Sequence, residues 1–218
     1  MNIDRLSIKG PSDNDFVAVD TTYGLYLKWR TLTAPSPKQM YDEIPGMNGS
    51  LDSTEEYGEI FYNDRTLALD CKHPSDSWHD DFKSFLNKYH GQNVKIAFSN
   101  DPDYYWVGRL TVSEYESKDH SLMMSAIVYP YKFKKTLTTK SRTGSGTITL
   151  TNGRMKVVPE VTISAAVTLA WGTNTKALSS SSYPATFKVA GLELTEGSTV
   201  VTVTGNATVT FSYREGSL

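Results

Sequence analysis

Apolar and polar residues alternate along this chain far more often than they recur at helical spacing. Leu25-Tyr26-Leu27-Lys28-Trp29 and Leu67-Ala68-Leu69-Asp70-Cys71 alternate at period 2, the mark of strands buried on one face. One segment differs: Trp78, Phe82, Phe85, Leu86 and Tyr89 fall at i, i+4, i+7, i+8 and i+11, a single apolar stripe on a helix. The spacing predicts a helix over residues 75–91, with Ser77 as N-cap and Asp80 at the third helical position. Asp80 and Asp81 suit its positive end, and Gly91 supplies the left-handed residue that stops it. Phe82 lies mid-stripe and is expected in the core. Residues 94–98, 104–114 and 122–129 then read as three strands, with a turn at Asn100-Asp101-Pro102-Asp103 and Pro130 ending the last. One helix on an antiparallel sheet makes this part α+β.

The remainder is β throughout. Residues 147–150, 160–165, 187–194, 200–203 and 207–213 are short β-branched or alternating runs. Asn152-Gly153, Gly172-Thr173-Asn174, Glu196-Gly197-Ser198 and Gly205-Asn206 separate them as turns, the rhythm of a β-sandwich. Composition changes with the pattern. Residues 1–135 carry 20 acidic and 15 basic side chains, whereas residues 136–218 carry 4 and 7, with 18 threonines and 10 serines. Two domains are therefore expected, 1–135 and 136–218, the second folding alone. The class is mainly β: an N-terminal α+β domain followed by a C-terminal sandwich.

With 218 residues, 39% hydrophobic and 21% charged, the chain can bury substantial cores. Its net charge of −2 excludes attachment to nucleic acid by bulk positive charge. The N-terminus lacks the apolar stretch of a secretory signal. The run 161–171 is too short and too rich in hydroxyls to span a bilayer, so no membrane partner is expected. A single cysteine, Cys71, permits no internal disulfide and fits synthesis in a reducing compartment.

Candidate chemistry is sparse. Cys71, His73 and His79 come nearest to a metal cluster, but they lack a fourth ligand and a zinc spacing, so no metal is expected. The carboxylate pairs Asp13/Asp15, Glu55/Glu56, Asp80/Asp81 and Asp101/Asp103 are local and mostly sit in turn sequence, unlike two catalytic acids facing one cleft. No nucleophile elbow, phosphate loop or dinucleotide fingerprint is present. No catalytic residue, cofactor or enzymatic activity is expected. Aromatics say more, with 13 tyrosines and 4 tryptophans. In Tyr104-Tyr105-Trp106, neighbours must point to opposite faces of a strand, so one large ring meets either another part of the chain or another subunit. Residues 33–43 are rich in proline and serine yet hold Met40 and Tyr41, the composition of an arm that orders on a partner or of a surface loop. These five residues, Met40, Tyr41, Tyr104, Tyr105 and Trp106, are the interface candidates. Trp171, Tyr183, Phe187, Phe211 and Tyr213 would serve either a sugar platform or the sandwich core.

The double turn Pro45-Gly46-Met47-Asn48-Gly49-Ser50-Leu51-Asp52, followed by Phe61-Tyr62-Asn63-Asp64-Arg65-Thr66, resembles the distal tail protein family of long-tailed phages. The resemblance continues through the 67–71 strand, the 78–89 helix, Tyr104-Tyr105-Trp106-Val107-Gly108-Arg109-Leu110 and Pro130-Tyr131-Lys132. It extends to Asn152-Gly153 and the ending Tyr213-Arg214-Glu215-Gly216. It implies a structural virion protein made in the host cytoplasm and placed at the tail tip. Six copies would form a baseplate ring joining the tail tube protein to the tail-associated hub protein. The N-terminal domains would surround a channel for passing DNA, and the C-terminal domains would be galectin-like sandwiches. The length leaves no room for the inserted sugar-binding modules that some members carry. A free-standing carbohydrate-binding sandwich protein and another tail-tube or baseplate ring protein are the alternatives.

Overall fold

The computed structural model describes residues 4–75, 78–116 and 118–218. The chain divides into two compact units, residues 1–130 and 131–218.

The first unit is built on β1 (Leu6–Lys9), β2 (Val17–Ala18), α1 (Val19–Tyr23), β3 (Tyr26–Leu32), β4 (Tyr41–Asp42), β5 (Leu51–Asp52), β6 (Arg65–Lys72), α2 (Trp78–Tyr89), β7 (Asn93–Phe98), β8 (Asp101–Glu116) and β9 (Ser121–Val128). Seven strands form one antiparallel sheet in the order β2-β1-β7-β8-β9-β6-β3. Alternation gives that sheet one core face, carrying Leu6, Ile8, Leu67, Leu69, Val94, Ile96, Leu110, Leu122 and Met124, all essentially inaccessible.

Helix α2 helps to close this face, as its apolar stripe predicts. Phe85 and Tyr89 are fully buried and Trp78 nearly so. Phe82, expected at the centre of the buried face, packs against the core only in part. The burial maximum lies three residues later, where Phe85 and Tyr89 meet Tyr23 of α1 edge-on at centroid distances of 5.4 and 6.0 Å. The expected cap Ser77 lies outside the described residues. Gly91 does turn the chain in the left-handed region, φ 73°, and its N–H reaches Leu110 O of β8 at 2.7 Å.

Strict alternation fails at three places, one of them in β8, where Val112 pairs with Met124 and Glu114 with Met123, so that Ser113 is an extra residue. In β3, Leu27 pairs with Cys71 and Trp29 with Asp70, so Lys28 is an extra residue in the ladder. This bulge turns Trp29 away from the face that Leu27 shares with the core. Between β7 and β8, Ile96 pairs with Trp106 and Phe98 with Asp101, leaving residues 102–105 opposite Ala97 alone. The turn expected around residues 100–103 is shorter, because Asp101 is already in β8.

The second unit comprises β10 (Lys132–Lys134), β11 (Thr138–Thr143), β12 (Gly146–Asn152), β13 (Glu160–Ile163), β14 (Val167–Trp171), β15 (Asn174–Leu178), β16 (Ala185–Lys188), β17 (Gly197–Thr204), β18 (Thr208–Tyr213) and β19 (Gly216–Ser217). Two four-stranded antiparallel sheets, β11-β18-β13-β16 and β12-β17-β14-β15, enclose one core. Leu150, Val161, Ile163, Leu169, Val201, Val209 and Phe211 fill it. The threonines are explained by the outer face. Ser141 faces Thr210, Thr143 faces Thr208 and Thr162 faces Thr186, each hydroxyl pair at 2.9 Å. The strand expected over 187–194 stops at Lys188, because the chain turns at Gly191 with φ 79°, yet Val189, Leu192 and Leu194 still enter the core. Residues 131–135 belong with this unit: β10 pairs with β19, and Lys134 Nζ meets Glu215 Oε1 at 3.2 Å.

Phe85→Ala should therefore cost about 3–5 kcal/mol, Phe82→Ala clearly less, and exposed Ser84→Ala within about 0.5 kcal/mol, read from urea melts. A fragment of residues 131–218 should melt as one cooperative unit and at a higher temperature than a fragment of 136–218, which lacks β10. Circular dichroism melting of the two fragments checks this.

Candidate functional site

The cysteine and the four histidines are engaged in structure. Cys71 is fully buried on the core face of β6, and burial, with a contribution from the Asp70 charge, pushes its thiol up to about 12. It is a thiol at neutral pH, not a nucleophile. His73 is nearly buried. Its Nε2 lies 3.3 Å from Asp81 Oδ2, and its Nδ1 lies 3.0 Å from Ser75 O and 3.1 Å from Ser75 N. Gly24, which ends α1 in the left-handed region, sits so close that a Cβ there would fall 2.4 Å from His73 Nε2. His79 stacks on Trp78 instead, at 4.1 Å between centroids. Among the described residues, no group of three His, Cys, Asp or Glu side chains is placed to hold a metal ion. No described helix is long and apolar enough to cross a membrane.

Of the local carboxylates, Asp13 has the most elaborate setting. It accepts hydrogen bonds from Gly10 N at 2.8 Å and Tyr89 Oη at 3.0 Å, and it pairs with Lys88 Nζ at 2.6 Å. Burial alone would raise its pKa, but the bonds from Lys88, Gly10 and Tyr89 together with the Lys88 charge outweigh it and hold the carboxyl below its ordinary range. The same node pushes the Tyr89 hydroxyl far up, through burial first and then through Tyr23 and Asp13. It ties the loop after β1 to the last turn of α2.

Two surfaces remain that this internal bonding does not account for. The first is an arm, residues 33–64, connecting β3 to β6. Its root is fastened: Arg65 Nε donates to Thr33 O at 2.7 Å, Thr33 N to Thr66 O at 3.0 Å, and Lys38 N to Phe61 O at 2.8 Å. Beyond the root it is a two-stranded ribbon, with Tyr41 opposite Asp52 and Asp42 opposite Leu51. Met40, Tyr41, Ile44, Met47, Leu51, Tyr57 and Phe61 all stand exposed along it, from 43% for Met40 to 69% for Tyr57. The second surface is the sheet face opposite the helix. Tyr26, Trp29, Met123, Ile127 and Tyr129 are exposed, and the ladder places Trp29, Asp70 and Met123 in one row, with Thr66, Ile127 and Arg109 in another.

The five interface candidates divide. Met40 and Tyr41 are exposed on the arm. Trp106 enters the core at 7% exposure beneath the Arg65 guanidinium, 4.8 Å from its ring. Tyr105 points to the opposite face, yet it is only 6% exposed because Phe16 and Lys95 lie against it at 5.9 and 5.2 Å. The ring that leaves the core face thus meets another part of its own chain. Tyr104 is half-buried. In the second unit, Trp171, Phe211 and Tyr213 are buried and Phe187 packs partly against the core, which leaves Tyr183 alone exposed from the possible sugar platform.

No protein-family model matches the chain, and no curated protein matches it in sequence. A solved structure does. The crystal structure of the SPP1 Dit protein, described as a paradigm of the hub adsorption apparatus in phages infecting Gram-positive bacteria, superposes with a TM-score of 0.66 at 12% identity, covering 96% of this chain and 98% of that one. This chain has the Dit fold. The phage p2 baseplate in its activated conformation also matches, in its strontium and calcium forms, at a TM-score of 0.42 and 8% identity each. The likeness to Dit runs through both units, the α+β sheet and the sandwich. The sequence pattern marks the arm through Met40 and Tyr41 but carries no signal for the open sheet face. Trp29 reads as a core residue until the bulge at Lys28 is known, and Met123 and Ile127 read as ordinary strand alternation.

The Asp13 node sets a pH dependence. Asp13, with its pKa depressed below the ordinary 3.8, stabilises the fold above that value, and the contribution is lost as pH falls through the folded pKa. Lys88, raised above 10.5 chiefly by its bond to Asp13, keeps its contribution until pH rises past its folded pKa. Asp13→Asn should remove stability across the range between, and should flatten the acid limb of a plot of urea midpoint against pH. An unchanged acid limb would contradict the assignment.

Proposed function

We propose that this chain is a structural protein of a phage tail tip, one subunit of a ring that joins the tail tube protein to the tail-associated hub. The observation that carries this reading is the end-to-end match with a Dit protein named for its place in a hub adsorption apparatus. A match over one unit alone would support only a shared module. A match over both, with almost nothing left over on either chain, supports a shared place in an assembly.

Two features of the molecule agree. Its histidines and its cysteine are engaged in structure, while its exposed apolar side chains in the first unit concentrate on an arm and one sheet face. In charge, residues 1–130 carry 12 basic and 20 acidic side chains. A ring made from such a unit would not adhere to DNA sliding through its channel. The copy number of six comes from the family resemblance, and the N-terminal unit is the ring-forming one in this reading. The burial of Trp171, Phe211 and Tyr213 weighs against sugar binding as the primary role.

The expected product is a closed ring of about 145 kDa, six chains of 24.2 kDa, forming as concentration rises. Light scattering across a concentration series, followed by negative-stain imaging, measures it. A chain that stays monomeric even when mixed with its tail-tube and hub neighbours would sink the adaptor reading.

A further inference from the structure

We propose that the arm and the open sheet face are two halves of one contact, the arm of one copy lying across the open face of the next. This rests on the ring reading and names the surfaces that would build the ring. Seven large apolar side chains on the arm are about half exposed. Together they offer roughly 600 Å², most of the ~800 Å² that one side of a standard interface buries. A two-stranded ribbon has no second layer and is marginal in water by itself, so its cover must come from elsewhere. It does not come from the arm's own sheet, since Tyr41 on the arm and Ile127 on the face are both 55% exposed.

Charge selects the occupant. Residues 33–64 hold seven acidic side chains against Lys38 alone, so one arm repels another and an arm-to-arm pairing is disfavoured. The face opposite the helix carries Lys9, Lys28, Lys72, Lys95 and Arg109 against Asp70, Glu114 and Glu116, a net positive set, with Trp29, Met123, Ile127 and Tyr129 as its exposed apolar side chains. It complements the arm in both hydrophobicity and sign. The face also bears a mark of incompleteness. Asp70 is 2% exposed with Oδ2 held by Lys28 Nζ at 3.3 Å, while Oδ1 has no hydrogen-bond donor among the described residues. Because arm and face are different surfaces of one chain, their contact repeats head to tail, and it closes if the rotation closes.

The test uses the full chain. Tyr41→Cys on the arm and Thr111→Cys on the open face are made separately, native Cys71 being buried, then mixed and treated with a short bismaleimide. The expected product is a dimer linking the two variants, absent from either alone, and a ladder of higher species from the double variant. In parallel, Ile127→Asp, on an exposed position, should keep the circular dichroism of the parent and weaken assembly at least about tenfold. Links formed by either single variant alone, or no link in samples that light scattering shows to be assembled, would overturn the arm-to-face contact and leave the ring reading standing. Ile127→Asp assembling like the parent would overturn it too. A chain that never assembles with its copies removes both.

Discussion

A single twelve-residue helix has to help close one face of a seven-stranded sheet, and much of the first unit follows from how it does so. Phe85 and Tyr89 enter the sheet's core in contact with each other, and Tyr23 stands edge-on against both. Burying Tyr89 carries a hydroxyl into the interior, which needs a partner there. Asp13 supplies it, and Lys88 supplies the countercharge, so the loop after β1 is bound to the helix that covers its strand. The edge of the sheet and its lid are fixed by the same few atoms. The constraint has a second consequence: the described residues include one helix of useful length, and the sheet has two faces. The face without the helix is covered at one end, where Phe16 lies against Tyr105, and elsewhere stays open.

The second unit solves the same problem differently. Two sheets face each other, so each covers the other and no helix is needed. The inward positions hold Leu, Ile, Val and Phe, and the outward ones hold hydroxyls that bond across strands. Threonine suits such a surface because its branched carbon favours the strand and its hydroxyl finds a partner opposite. The change in composition that separates the halves of the sequence therefore records two ways of finishing a β-sheet.

What was legible in the sequence follows the same division. The helix at Trp78–Tyr89, the strands β6, β7, β8 and β9, and the sandwich could be read from periodicity, because burial on one face writes itself into alternation. The helix's deepest residue was misplaced by one step of the stripe, since Phe82 and Phe85 are equivalent by spacing and only the position of Tyr23 distinguishes them. Trp29 departs from its sequence pattern for a different reason. A bulge inserts one residue and flips every later side chain, and nothing in Leu-Tyr-Leu-Lys-Trp announces it. The strand expected over 187–194 ends early because Val189, Leu192 and Leu194 are buried from a loop, where burial no longer implies a ladder. Of the interface candidates, Met40 and Tyr41 stand out to solvent as their setting suggested. Tyr105 finds its cover in Phe16, some ninety residues away in the chain, which no local pattern can reveal.

The arm's root explains why an exposed ribbon can serve as a precise connector. Arg65 is buried at the end of β6, stacked over Trp106 of the core, and its guanidinium holds Thr33 O where the arm begins. On the other side of the same junction Thr66 N donates to Thr33 Oγ1, and Ser36 O receives Asn63 N at 2.9 Å. The arm thus leaves the sheet in a direction set by the packed core. A loop free to swing would lose that freedom on binding, a cost set against every contact it makes. A ribbon already aimed loses less, so modest apolar contacts can suffice. Arg65 bears on this more than any residue at the tip, because it is the point where the order of the core is handed to a segment that has almost no core of its own.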